Sequence, residues 1–157
     1  MRKEAFDIIN EMMFENENIV FLTADLGYWL LDGIKESHPE RFHNVGSSEQ
    51  LLLGAAVGLA LSGKIPICYS ITPFLLCRPF ELIRNYVNRE GLNVKLIGAG
   101  RDRDYGHDGF SHWAEDHVDI MSLFPNITTF VPKRKDELEE IRDLILSDKP
   151  VYINLRK

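Results

Sequence analysis

The residue in this chain whose type and placement most suggest chemistry is Glu49. It stands in Val45-Gly46-Ser47-Ser48-Glu49-Gln50, at the mouth of an apolar stretch that includes Gly54-Ala55-Ala56-Val57-Gly58-Leu59-Ala60. A helix so rich in Gly and Ala does not face water along its length. An acid in a first helical turn is favoured by the free N–H groups and the dipole, so a purely structural role stays open. The chemical alternative is a carboxylate that hydrogen-bonds a bound group in a low-dielectric site. Other candidates are spread along the chain: Asp25, Phe74, Phe80, Arg101, Asp108, His112 and Arg156. Each has an ordinary explanation. Phenylalanine is usually core, a lone His at a helix start is usually a surface residue, and Arg156 equally reads as a charged chain end. The run Arg101-Asp102-Arg103-Asp104 reads as a solvated loop or as a selector of substrate.

These residues need a scaffold, and the hydrophobic pattern supplies one. Apolar spacing predicts a helix over 2–16, closed by Asn16 to Asn18. Short apolar runs predict strands over 19–23, 42–45, 65–71, 94–97, 127–131 and 151–155, the first of the kind buried on both faces. Between them lie a short helix before Pro39, a helix over 49–61 with Ser48 as N-cap and Gly63 at its C-terminal end, one over 79–87 opened by Pro79, one from Ser111 to 123, and an amphipathic one over 136–146. Alternating strands and helices predict a single domain over 1–157, a three-layer α/β/α unit with a mostly parallel central sheet. Ligands of such folds bind beyond the carboxyl ends of the strands. The loops 25–28, 46–49, 70–74 and 98–112 all follow strands, so they should share that edge.

Composition narrows the class. The chain has 157 residues, 45% of them hydrophobic, which suits one domain with a full core. A net charge of -6 argues against nucleic-acid and acidic-membrane surfaces. No apolar run reaches the roughly 18 residues of a membrane span. The N-terminus has no apolar signal core, so the cytoplasm is the expected compartment. Cys68 and Cys77 match no metal-ligand spacing and are expected to be buried, reduced thiols.

Four segments in order carry a resemblance. They are the Gly46-Ser47-Ser48-Glu49-Gln50 motif with its Gly54-Ala55-Ala56-Val57-Gly58-Leu59-Ala60 helix, Tyr69-Ser70-Ile71-Thr72-Pro73-Phe74-Leu75, Gly106-His107-Asp108-Gly109-Phe110-Ser111-His112, and Pro150-Val151-Tyr152-Ile153-Asn154-Leu155-Arg156. Over roughly 19–156 the chain resembles the pyrimidine-binding domain of transketolase-like thiamine diphosphate enzymes. The resemblance implies the thiamine diphosphate-binding fold. It gives Glu49 a hydrogen bond to the N1′ nitrogen of the cofactor's aminopyrimidine, which favours the tautomer whose exocyclic nitrogen is a base. It places Phe74 against the pyrimidine ring, with Phe80 lining the same pocket and Asp25 near the cofactor. It places Asp108 and His112 on substrate hydroxyls and Arg156 on a substrate phosphate, contacts suited to an imidazole that titrates near neutrality and a bidentate guanidinium.

The departures from the family pattern lie at the acceptor end. Gly27-Tyr28-Trp29 stands where sugar-phosphate enzymes carry a Ser, the phosphate-facing His is missing from the segment 100–105, and His107 replaces a Glu. A pentose phosphate substrate is therefore not assumed, and Arg101 is a candidate substrate contact. No Gly-Asp-Gly motif occurs. The diphosphate and its Mg²⁺ are thus expected on a larger partner subunit, with this chain a separate small subunit of a heterotetramer. The implied reaction is transfer of a two-carbon ketol unit between sugars or sugar phosphates. The alternatives are a subunit of a 2-oxo acid decarboxylating enzyme, like deoxyxylulose phosphate synthase or the 2-oxo acid dehydrogenase beta subunit, and a non-catalytic scaffold.

Overall fold

The computed structural model describes residues 1–157. The runs Ile19–Thr23 (β1), Lys95–Ala99 (β4) and Val151–Leu155 (β6) are buried at every position. Such a strand must be covered on both faces, and the sheet is built that way. With Phe42–Asn44 (β2), Ile65–Ile71 (β3) and Thr128–Phe130 (β5), these strands form a six-stranded sheet in the order β2-β1-β3-β4-β6-β5. Every pairing is parallel, so the expected mostly parallel sheet is wholly parallel.

Side chains alternate across it. Ile19, Phe21, Ile67, Tyr69, Ile97 and Ile153 point to one face, where Arg2–Glu15 (α1), Asp32–Ser37 (α2) and Glu140–Leu146 (α7) bury Phe6, Ile9, Ile34, Ile141 and Ile145. Val20, Leu22, Cys68, Leu96 and Tyr152 point to the other. There Glu49–Leu61 (α3), Thr72–Cys77 (α4), Phe80–Leu82 (α5) with the π-helical turns Ile83–Arg89, and His117–Ser122 (α6) close a second core. The two cores sit back to back through one sheet, the layering that the hydrophobic pattern predicts.

Several local expectations change. Residues 70–74 are not a loop: β3 runs straight into α4, with Pro73 in the first turn, where its missing N–H costs nothing. The helix expected from Ser111 begins only at His117. Gly109, at φ 83°, separates the 3-10 turns Gly106–Asp108 and Phe110–His112, and Trp113 is extended. The helix expected over 136–146 starts as a 3-10 turn, Lys135–Glu139. Ser48 is the N-cap residue by position, but its side chain makes no cap hydrogen bond. Cys68 is buried, and burial pushes its thiol up, whereas Cys77 is exposed because Leu75 and Leu76 take the inward positions of α4.

A buried polar network ties the carboxyl ends of the central strands together. The register sets Ser70, Gly98 and Asn154 side by side on β3, β4 and β6. Thr72 donates to the Gly100 carbonyl at 2.7 Å, and the Asn154 amide donates to the Thr72 hydroxyl at 2.9 Å and the Tyr152 hydroxyl at 3.1 Å. Gly98 is required for this closeness, since a Cβ there would lie 2.6 Å from the Thr72 hydroxyl. The network fixes the start of α4 and, with it, the direction in which Phe74 leaves the sheet.

Candidate functional site

The four segments expected to meet do so beyond the carboxyl ends of the strands, three as loops and 70–74 as the junction of β3 and α4. Asn44, the last residue of β2, accepts hydrogen bonds from the Asp25 N–H at 2.9 Å and the Gly46 N–H at 3.0 Å, binding two of the loops together. Gly46 turns with φ 75° and delivers the chain to α3. Glu49, the first residue of that helix, is 2% exposed. Its carboxylate has two donors: the Ser70 hydroxyl reaches one oxygen at 2.7 Å, and Arg78 reaches the other at 2.7 Å. A buried carboxylate without partners would cost several kcal/mol, so the fold needs both contacts to hold this charge.

Phe74 and Arg78 are four residues apart, which on a helical turn places them on one face. The Arg78 guanidinium lies over the Phe74 ring, 3.7 Å from its centroid. On another side Phe74 meets His112 edge-on, with ring centroids 4.8 Å apart. The Ser111 hydroxyl lies 3.0 Å from the His112 Nδ1 and orients the imidazole. A cavity of 440 Å³ opens beside them, lined among others by Phe74, Arg78, Phe110, Trp113, Glu115 and Asp116. Glu49 does not line it; Arg78 stands between the carboxylate and the open space.

The structure thus brings together Glu49, Phe74 and His112. Asp25 lies at the same edge, at φ 55°, and its carboxyl is held below its usual range by the Tyr28 hydroxyl and then by Asn44. Asp108 pairs with His107 at 3.2 Å and does not line the cavity. Arg156 faces Asp104 at 3.4 Å and Asp102 at 3.8 Å.

Two further candidates are engaged by the fold. Phe80 packs against Phe124, with centroids 5.1 Å apart, and does not line the cavity; its start of α5 points it back to the second core. Arg101 is not simply a solvated loop residue. It donates to the Asn154 side chain at 3.0 Å, the Asn154 carbonyl at 3.1 Å and the Pro132 carbonyl at 3.0 Å, so the fold takes up this guanidinium. Ser70 and Arg78 join the site without having stood out in the sequence. The signal for Arg78 was its four-residue spacing from Phe74, hidden because the segment before it read as a loop.

A buried carboxylate beside a flat aromatic face is the donor set an aminopyrimidine requires: one oxygen for a ring nitrogen and one ring for stacking. The cavity volume lies in the range of ligand pockets, roughly 300 to 1,000 Å³. No group of three or more His, Cys, Asp or Glu is placed to hold a metal ion.

Comparison with known proteins agrees with this geometry. The model of the transketolase pyrimidine-binding domain matches residues 1–157. A putative transketolase C-terminal section from Methanocaldococcus jannaschii is 35% identical over 157 residues, covering 99% of this chain and 50% of that protein. A subunit of the apulose-4-phosphate transketolase of Actinobacillus succinogenes is 39% identical over 123 residues, covering 78% of this chain and 39% of that protein. A solved split gene transketolase, an inactive beta4 tetramer, superposes with TM-score 0.86 at 34% identity, covering 99% of this chain and 50% of that one. The chain spans about half the length, or less, of the relatives it matches. With a full-length domain match and the buried Glu49 beside Phe74, the chain belongs to the transketolase pyrimidine-binding domain family.

Proposed function

We propose that this chain supplies the pyrimidine-binding half of a two-chain, thiamine diphosphate-dependent transketolase-like enzyme that transfers a two-carbon ketol unit between sugars. The observation that carries the reading is Glu49, a buried carboxylate held 2.7 Å from both Ser70 and Arg78 beside the Phe74 ring. When bound, thiamine diphosphate supplies the nucleophilic carbon on which the ketol unit is carried. The chain's own residues do the rest. Glu49 holds a proton at the N1′ ring nitrogen, in surroundings dry enough to strengthen that bond. Ser70 fixes the carboxylate's orientation, Phe74 sets the plane of the ring, and His112, next to Phe74, is the proposed contact for substrate hydroxyls. Asp25 orders the loop at the cofactor edge. Asp108 and Arg156 are the more distant substrate contacts, Asp108 beside the His107 imidazole and Arg156 beside the Asp104 carboxylate.

The diphosphate and its Mg²⁺ are assigned to a larger partner subunit in a heterotetramer. Support comes from the relatives' descriptions, one as a C-terminal section and one as a single subunit of a transketolase, and from a split gene beta4 tetramer described as inactive. No helix is long and apolar enough to cross a membrane, and the working compartment of the enzyme is taken to be the cytoplasm.

The test is reconstitution with the diphosphate-binding partner, thiamine diphosphate and Mg²⁺, followed by a ketol-transfer assay over a panel of sugars. Turnover is expected only from the pair, and Glu49→Ala is expected to lower it about a thousandfold, within the usual range for losing an acid–base contact. Carbon dioxide release from pyruvate would move the reading to a decarboxylating enzyme. Unchanged turnover in Glu49→Ala would move it to a scaffold.

A further inference from the structure

We propose that Arg78 occupies the pyrimidine site of the free chain and is displaced when the aminopyrimidine ring binds; this rests on the pyrimidine-binding reading of Glu49 and Phe74. One guanidinium contacts both residues that reading assigns to the ring. It donates to Glu49 at 2.7 Å, and its central carbon lies over the Phe74 ring at 3.7 Å from the centroid. The second distance is a stacking distance, so no other flat group shares that face while Arg78 is there. Among side chains the guanidinium is also the nearest imitation of a protonated aminopyrimidine. Both are planar and delocalised, and both present N–H donors in the plane to a carboxylate.

The exposures show which partner moves. The Glu49 side chain is 2% exposed and the Arg78 side chain 47%. Glu49 is fixed by Ser70 and its helix, and cannot be left as an unpaired buried charge. Arg78, with half of it already in solvent, can swing out when another donor takes its place on Glu49. Glu115 and Asp116 line the same cavity as Arg78, so carboxylates are at hand for the released guanidinium. The arrangement keeps Glu49 neutralised in both states: by Arg78 when the site is empty, and by the ring N–H when it is filled.

A covered site lowers apparent affinity by the fraction of time it is open. A site open one-tenth of the time binds about tenfold more weakly than one always open. The experiment is calorimetric titration of thiamine diphosphate, with Mg²⁺, into the reconstituted complex carrying wild-type chain, Arg78→Ala or Arg78→Lys. Arg78→Ala is expected to bind roughly tenfold more tightly. Arg78→Lys keeps a charge for Glu49 without the planar stack, so it is expected to fall between the two. It also serves if Arg78→Ala does not fold. Wild-type binding with equal or weaker binding by both variants would overturn the placeholder role and leave the pyrimidine reading standing. Failure of the wild-type complex to bind thiamine diphosphate at all would overturn both.

Discussion

Two charged side chains are fully buried in this domain, Lys95 and Glu49, and they are neutralised in opposite ways. Lys95 opens β4 at the amino end of the sheet. Its ammonium donates to the carbonyls of Leu144, Ser147 and Lys149 at 3.0, 2.9 and 2.6 Å and to the Ser147 hydroxyl at 3.2 Å. These acceptors belong to the end of α7 and the turn after it, which cannot leave without unfolding the last crossover. Glu49 sits at the carboxyl edge and relies on a hydroxyl and on a half-exposed arginine beside a cavity. On the proposed reading, buried charge serves structure where its partners are backbone, as at Lys95, and chemistry where a partner can be exchanged, as at Glu49.

The largest effect should come from breaking the exchangeable site. In the reconstituted enzyme, Glu49→Ala is expected to cut turnover about a thousandfold, roughly 4 kcal/mol of barrier. Its thermal unfolding should move little, because the partner left behind, Arg78, already reaches solvent. Lys95→Met should do the reverse. It takes the ammonium donor from three carbonyls, a donation that the Ser147 hydroxyl can replace only in part, and is expected to cost about 3 kcal/mol of stability in a denaturant titration, with turnover of the folded enzyme kept. Asn154→Leu, which breaks the network behind α4, is expected to cost about 2 kcal/mol. It should also raise the KM for substrate more than it lowers kcat, since Phe74 and His112 lose a fixed support.

A pH series sharpens the same contrast. Burial pushes the Lys95 ammonium down to about 8, with Asp148 opposing, against 10.5 for an ordinary lysine. Between those values the unfolded chain carries the proton that the folded chain has released. Unfolding therefore takes up a proton, and stability rises with pH across that window. The stability of wild type relative to Lys95→Met should accordingly grow from about pH 8 to 10.5. A difference that stays flat would show that the four acceptors hold Lys95 charged throughout.

What could be read from the residues follows from the range of the forces involved. Strands buried on both faces announce themselves as continuous apolar runs, so β1, β3, β4 and β6 were legible. So was the edge at which Glu49, Phe74 and His112 meet. The pairing of Arg78 with Glu49 spans 29 residues, and that of Arg101 with Asn154 spans 53. No local pattern encodes either, and an arginine in a polar loop looks the same whether it is solvated or locked to a strand end. The late start of α6 depends on Gly109 at φ 83° and on the bridge between Asp102 and Ala114, a contact that only the folded chain makes. The packing of Phe80 on Phe124 spans 44 residues and is likewise invisible to a local pattern.

The most direct test of the site is a crystal structure of the reconstituted complex with thiamine diphosphate and Mg²⁺. A Glu49 carboxylate oxygen within hydrogen-bond distance of the pyrimidine N1′, with the ring stacked on Phe74 and Arg78 moved off it, is the predicted result. A cofactor bound elsewhere, with the 2.7 Å pair between Arg78 and Glu49 intact, would contradict it.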